Sequence, residues 1–147
     1  MKITCTPHLA TLLLSLATLS AQADIHVVVA AASPLKNLSA KEALALYMGK
    51  SRTLPASDNA AAMVLDLPRD NPLRDAFYQT LTNMSPAQIN SYWSRLMFTG
   101  QTLPPQSVSG EQQMAEAVRR NPVAIGYLSK EPPPGLRTVL VLKSPED

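Results

Sequence analysis

The stretch from Met63 to Phe77, MVLDLPRDNPLRDAF, constrains the fold more than any other part of this chain. It opens with an apolar run, Met63 to Leu67, which reads as a strand. Pro68-Arg69-Asp70-Asn71 supplies a tight turn. Pro72 suits the first position of a helix, where its missing N–H costs nothing, and Asn71 stands where an N-cap belongs. Leu73, Phe77 and Leu81 then recur at helical spacing. A strand, a turn and a helix N-terminus in that order aim backbone N–H groups and a positive dipole end at one point, which suits an anion. Arg69 and Arg74 flank that point.

The first residues read as a targeting segment. Lys2 is followed by a mostly apolar run from Leu9 to Leu19, and Ala21-Gln22-Ala23 has the small-x-small pattern of a cleavage site. We expect a signal peptide over residues 1–23 and one α/β domain over 24–147, periplasmic or secreted after cleavage near Ala23. The apolar run is too short to span a bilayer. The only cysteine, Cys5, lies before that run, so a mature domain would depend on its core alone. Removing Lys2 leaves 12 basic residues against 11 acidic, where the whole chain has 13 against 11. That balance argues against a nucleic-acid binder or a membrane-surface binder. His26 is the one histidine after residue 23 and alternates with Ile25 and Val27 as an outward strand residue. With no cysteine or second histidine beside it, no metal site and no cofactor is expected.

The remaining chain alternates strand and helix patterns. Ile25 to Ala30, IHVVVA, has the apolar density of a strand buried on both faces. Ser39 and Glu42 form a capping box before a helix carrying Ala43, Leu44, Tyr47 and Met48, and Gly49 is placed to end it. Lys50 to Ala62 reads as an exposed connection. Ser85-Pro86-Ala87-Gln88 is a second capping box, starting a helix with Ile89, Trp93, Leu96 and Met97 on one side and Gly100 as its stop. Gln101 to Val108 reads as a loop, and Ser109 as the N-cap of a fourth helix that ends at Asn121-Pro122. Val123 to Leu128 is a strand, Pro132 to Gly135 a rigid turn, and Leu136 to Leu142 a last strand. This alternation predicts a single α/β domain, with a mixed, mostly parallel sheet and helices on both faces. Ligands of such sheets sit at the carboxyl ends of the strands. The loops at Ala31–Asn37, Pro68–Asn71 and Ser107–Gly110 are therefore expected to converge, bringing Ser33 and Ser109 to the arginines.

The pieces NLSAKEALALYMGK, the strand-turn-helix ending in Phe77, YWSRLMFTG and NPVAIGYLS, in that order, resemble the phosphate ABC transporter substrate-binding proteins. The resemblance runs from Ile25 to Leu142, and is strongest to short, exported, single-lobe relatives. It implies one three-layer lobe of the type II periplasmic-binding-protein kind. It also implies a role related to phosphate transport, in which a small oxyanion, phosphate first, is bound without chemistry being done on it. Full-length members close two lobes on the anion, and this chain matches one. They carry a Ser-Gly-Thr loop at the helix N-terminus, where alignment on Phe77 places Asn71, Pro72 and Leu73. Asn71 keeps one polar side chain, Pro72 removes a donor, and Leu73 replaces a hydroxyl by an alkyl group. A half-cleft with fewer donors offsets less of an anion's desolvation.

The candidate anion-binding residues are Arg69, Asn71, Arg74, Ser33 and Ser109. Arg74 either folds its guanidinium over the anion or pairs with Asp70 four residues earlier. Ser33 has a local capping role as its alternative, and Ser109 its N-cap role. Tyr92, Trp93 and Phe98 are expected in the core. No nucleophile elbow, Gly-rich phosphate loop or zinc-protease helix is present, which argues against an enzyme. Two readings stay open. One is a phosphate-type oxyanion binder. The other is an accessory or sensory envelope protein that uses the lobe to dock a membrane or envelope partner. In a homodimer, two copies would rebuild a cleft.

Overall fold

The computed structural model describes residues 23–144. The signal-peptide reading falls on residues 1–22, outside the described residues, so only its last position is described. The elements in chain order are β1 (Ile25–Ala30), α1 (Ala40–Tyr47), β2 (Met63–Asp66), α2 (Pro72–Thr82), α3 (Pro86–Phe98), β3 (Gln106–Ser107), α4 (Glu111–Arg120), β4 (Ala124–Leu128) and β5 (Leu136–Leu142).

Local chemistry sets most of the boundaries. Both capping boxes form: Ser39 with Glu42 begins α1, and Ser85 with Gln88 begins α3. Asn71 caps α2, with Pro72 in its first turn. Gly49 and Gly100, at φ +69° and +68°, follow the ends of α1 and α3 in the left-handed region. The fourth helix departs from expectation. Its N-cap is Gly110, with extended backbone and no side-chain cap bond, so Ser109 stands one residue too early to cap it.

The five strands form one mixed sheet in the order β3-β2-β4-β1-β5. β2 runs parallel to β3 and β4, whereas β1 runs antiparallel to both β4 and β5. Parallel pairing is therefore half of the sheet rather than most of it. Helix α4 covers one face. Any Cβ on Gly126 of β4 would collide with the Met114 side chain of α4, so this close approach requires glycine. The first three helices cover the other face. There Phe77 of α2 stacks on Tyr127 of β4 with ring centroids 3.9 Å apart, and the Tyr47 hydroxyl of α1 donates to the Leu65 carbonyl at 3.2 Å. The result is the three-layer α/β lobe that the sequence predicts.

Two connections differ from the sequence reading. Residues 50–62 are not wholly exposed, because Leu54 is buried in the core and Thr53 bridges Ala61. Within the 101–108 loop, Gln106 and Ser107 form the short parallel strand β3 on the edge of β2.

Strand direction also separates loops expected together. Val64 pairs with Ile125 in parallel, and Ile125 pairs with Val29 antiparallel. The chain therefore leaves β1 at the end of the sheet where β2 begins. The Ala31–Asn37 loop lies at the opposite end from the Pro68–Asn71 turn, and the expected convergence of three loops is corrected to two.

Candidate functional site

The turn after β2 is built on a buried carboxylate. Asp66, the last residue of β2, is 4 % exposed. Its Oδ1 accepts from the Leu67 backbone N–H at 2.8 Å and from the Tyr127 hydroxyl at 2.6 Å. Its Oδ2 accepts from Arg74 Nε and from the Tyr78 hydroxyl, both at 3.0 Å. Four donors from β2, α2 and β4 thus converge on an anion that the chain itself supplies. Buried polar groups require such satisfaction, and a buried charge requires it most.

Arg74 is the partner of that charge and is 5 % exposed. It pairs with Asp66 across the turn rather than with Asp70, because the turn folds the first turn of α2 back over the end of β2. Its guanidinium carbon lies 4.9 Å from the centre of the Tyr78 ring, within cation–π range. Burial, the largest single influence, lowers its pKa, but the Asp66 charge and hydrogen bond, with smaller contributions from Tyr78 and Tyr127, together outweigh it, and the group is held cationic. Burial, and then the Asp66 charge, push the Tyr47, Tyr78 and Tyr127 hydroxyls well above their ordinary range, so they act as neutral donors.

Arg74 keeps donors to spare. Its Nε is committed to Asp66, and no hydrogen bond among the described residues uses its two terminal nitrogens. Arg74 lines a cavity of about 110 Å³ together with Asp66, Arg69, Asn90, Trp93, Pro104, Pro105 and Ser107. The Trp93 indole N–H is buried and directed at the Tyr78 hydroxyl, and Asn90 Oδ1 is buried without a partner. Arg69 is exposed at the mouth. Asp66, Arg74 and Arg69 sum to one net positive charge, and the uncommitted Arg74 nitrogens are donors. The arrangement can hold a small anion.

The expected site residues divide accordingly. Arg69 and Arg74 meet at this cavity. Asn71 sits at the turn, but its Oδ1 accepts the Leu73 N–H at 2.9 Å and it does not line the cavity. With Leu73 capped and Pro72 lacking an N–H, the helix terminus offers an anion fewer donors than the sequence suggested. Ser109 is exposed two residues beyond the lining residue Ser107. Ser33 is at the far end of the sheet, 2 % exposed, with its Oγ accepting the Leu35 N–H at 3.2 Å. Asn90, Trp93 and Ser107 were not singled out by sequence reasoning as site residues. Trp93 is in the core as expected, but nothing in the sequence signals that it lines this cavity. Of the other aromatics expected in the core, Tyr92 is partly buried and donates to the Met48 carbonyl at 2.7 Å, whereas Phe98 is 94 % exposed.

No protein-family model matches this chain, and no curated protein sequence matches it. Solved structures do. A protein described as a phosphate ABC transporter substrate-binding protein from Clostridium perfringens, with bound phosphate, superposes with a TM-score of 0.64 at 20 % identity, over 80 % of this chain and 45 % of that one. An ABC-type phosphate transport receptor from Vibrio cholerae gives 0.62 at 17 % identity, over 81 % and 47 %. A protein proposed to bind phosphate from Planctomyces limnophilus gives 0.52 at 12 % identity, over 73 % and 36 %. At these identities the likeness establishes the fold, which is the periplasmic-binding-protein-like fold expected from the sequence. The chain spans less than half the length of the proteins it resembles. No helix among the described residues is long and apolar enough to cross a membrane.

Proposed function

We propose that this chain is an exported, non-catalytic binding protein that holds a small oxyanion, phosphate first, in the cavity between Arg74, Trp93 and Arg69. One observation carries the reading: a buried arginine with uncommitted terminal nitrogens lines the same small cavity as the exposed Arg69. Leaving buried donors unpaired costs free energy, and an oxyanion repays it by accepting from several at once. Asp66 holds Arg74 in place and lines the cavity beside it, with its charge offset by Arg74. Arg69 closes the mouth and adds the net charge. The fold of phosphate-binding neighbours, one of them with phosphate bound, supports the same ligand class. The described residues, matching under half the length of those neighbours, supply one lobe to the ion. We expect weak binding, with Kd near millimolar, or about −4 kcal/mol.

Calorimetric titration of the protein with inorganic phosphate at low salt tests this, with Arg69→Ala as the comparison because that residue is exposed. Saturable heat that the substitution weakens about fivefold, roughly 1 kcal/mol, is the expected outcome. A folded protein that gives no saturable heat refutes it. That result would favour the second reading, a lobe that docks an envelope partner, whose supporting observation is the exposure of Phe98 at 94 % and Leu103 at 79 %.

A further inference from the structure

The anion cavity has a larger neighbour. A groove of about 410 Å³ shares Trp93, Pro104 and Pro105 with it. The two are consecutive along β2: Val64 lines the groove and Asp66 lines the cavity. Residues two apart on a strand face the same side, about 7 Å from each other. Trp93 belongs to both. The benzo edge of its indole packs against Gly49, a groove residue, where an added Cβ would lie 2.9 Å from Cη2. Its pyrrole edge carries the N–H, which is directed at the Tyr78 hydroxyl on the cavity side.

The groove is of different chemistry from the cavity. Leu46, Met63, Val64 and Leu103 supply apolar walls, and no carboxylate lines it. Its one charged lining residue, Arg52, is tied by Nη2 to Thr102 Oγ1 at 3.1 Å. An inorganic ion would occupy the cavity and leave these apolar walls in water. A ligand with an anionic head and a short organic tail would cover both.

We propose that the site takes a phosphate monoester, with the phosphoryl group in the cavity at Arg74 and Arg69 and the alkyl or aryl substituent in the groove along Trp93 and Leu103. This rests on the oxyanion reading above and narrows its ligand class. The anion supplies the charge-assisted hydrogen bonds, and the substituent supplies apolar burial.

The test compares inorganic phosphate, n-butyl phosphate and phenyl phosphate by calorimetry on the same protein, beside Leu103→Asp. The esters are expected to bind at least about tenfold tighter than the inorganic ion, the factor that burying two methylene groups supplies. Leu103→Asp should cut that ratio, since it places a carboxylate in the path of the substituent. Equal binding of all three ligands would overturn the ester proposal and leave the oxyanion reading standing. Binding of none by the folded protein would overturn both. An ester preference that Leu103→Asp leaves unchanged would also overturn it, because the substituent would then lie outside this groove.

Discussion

Asp66→Asn tests the logic of the site directly. The substitution keeps size and shape and replaces one acceptor oxygen by an NH₂ donor. In the native arrangement each carboxylate oxygen faces a donor that cannot become an acceptor: Oδ1 faces the Leu67 backbone N–H at 2.8 Å, and Oδ2 faces Arg74 Nε at 3.0 Å. The tyrosine hydroxyls can turn round, but these two groups cannot. Whichever way the amide points, its NH₂ meets an N–H. The variant loses one hydrogen bond outright, and leaves Arg74 cationic and buried with no counter-charge. One charged hydrogen bond is worth about 1.5–3 kcal/mol, and breaking a buried pair by removing one partner costs about 3–5 kcal/mol. We therefore expect a loss of about 3–5 kcal/mol in urea denaturation. Replacing Arg74 as well, as Asp66→Asn with Arg74→Met, removes both the orphaned charge and one of the two opposed donors. The double variant should recover about 2 kcal/mol relative to the sum of the single changes. An Asp66→Asn protein within about 1 kcal/mol of the parent, or two strictly additive changes, would refute this account.

Gly49→Ala should cost about 1–3 kcal/mol, because Gly49 has φ +69° and an added Cβ would meet the Trp93 ring at 2.9 Å and Thr102 at 3.0 Å; by moving Trp93 it should also weaken phosphate binding, and unchanged stability and affinity would contradict the packing described. Alkaline stability should fall steeply: Tyr47, Tyr78 and Tyr127 have pKa values raised by burial and by Asp66, so their contribution is intact below the ordinary tyrosine value of 10.0 and is lost as pH rises above it. Three protons kept by the native state and released by the unfolded chain give a slope of about 4 kcal/mol per pH unit, and urea midpoints unchanged between about pH 9 and pH 11 would contradict it. Glu42 has its pKa lowered by hydrogen bonds from Ser39, so its stabilisation of α1 is present above the ordinary carboxyl range and is lost as pH falls through its lowered value; Glu42→Gln should flatten that part of the acid stability curve, and an identical curve would refute the assignment.

Much of the fold was legible because its signals are local. Ser39 with Glu42, Ser85 with Gln88, and Asn71 before Pro72 each satisfy a helix end within four residues, and no distant partner can change that chemistry. Ser109 misled because it satisfies the same composition rule one residue before a glycine that begins α4 in extended backbone. Strand direction was not legible. β1, α1 and β2 look like a parallel crossover, but β1 and β2 run opposite ways, and the connection into β2 folds back on itself, with Thr53 bridging Ala61. That reversal removed Ser33 from the site. The Asp66–Arg74 pair was missed for a related reason. A search at helical spacing pairs Arg74 with Asp70, yet Asp70 lies in the turn, outside the helix whose geometry makes that spacing meaningful.

The internal carboxylate also explains how the strand-turn-helix junction persists without the donors of a dedicated anion loop. Such a junction concentrates positive potential, and something must answer it. In this chain Asp66 answers it from inside, with Arg74, Tyr78, Tyr127 and the Leu67 N–H all satisfied before any ligand arrives. The junction is therefore stable when empty, and the helix terminus has little left to offer. What remains for a ligand is the outer half of the Arg74 guanidinium and Arg69, both on residues that line the cavity. Affinity then depends on side chains rather than on backbone N–H groups. Exchanging Asn71 for Ser should leave phosphate affinity nearly unchanged, because either residue caps α2 from a position outside the cavity. A large gain in phosphate affinity from Asn71→Ser, measured by the same titration, would return the site to the helix terminus and refute this division of labour.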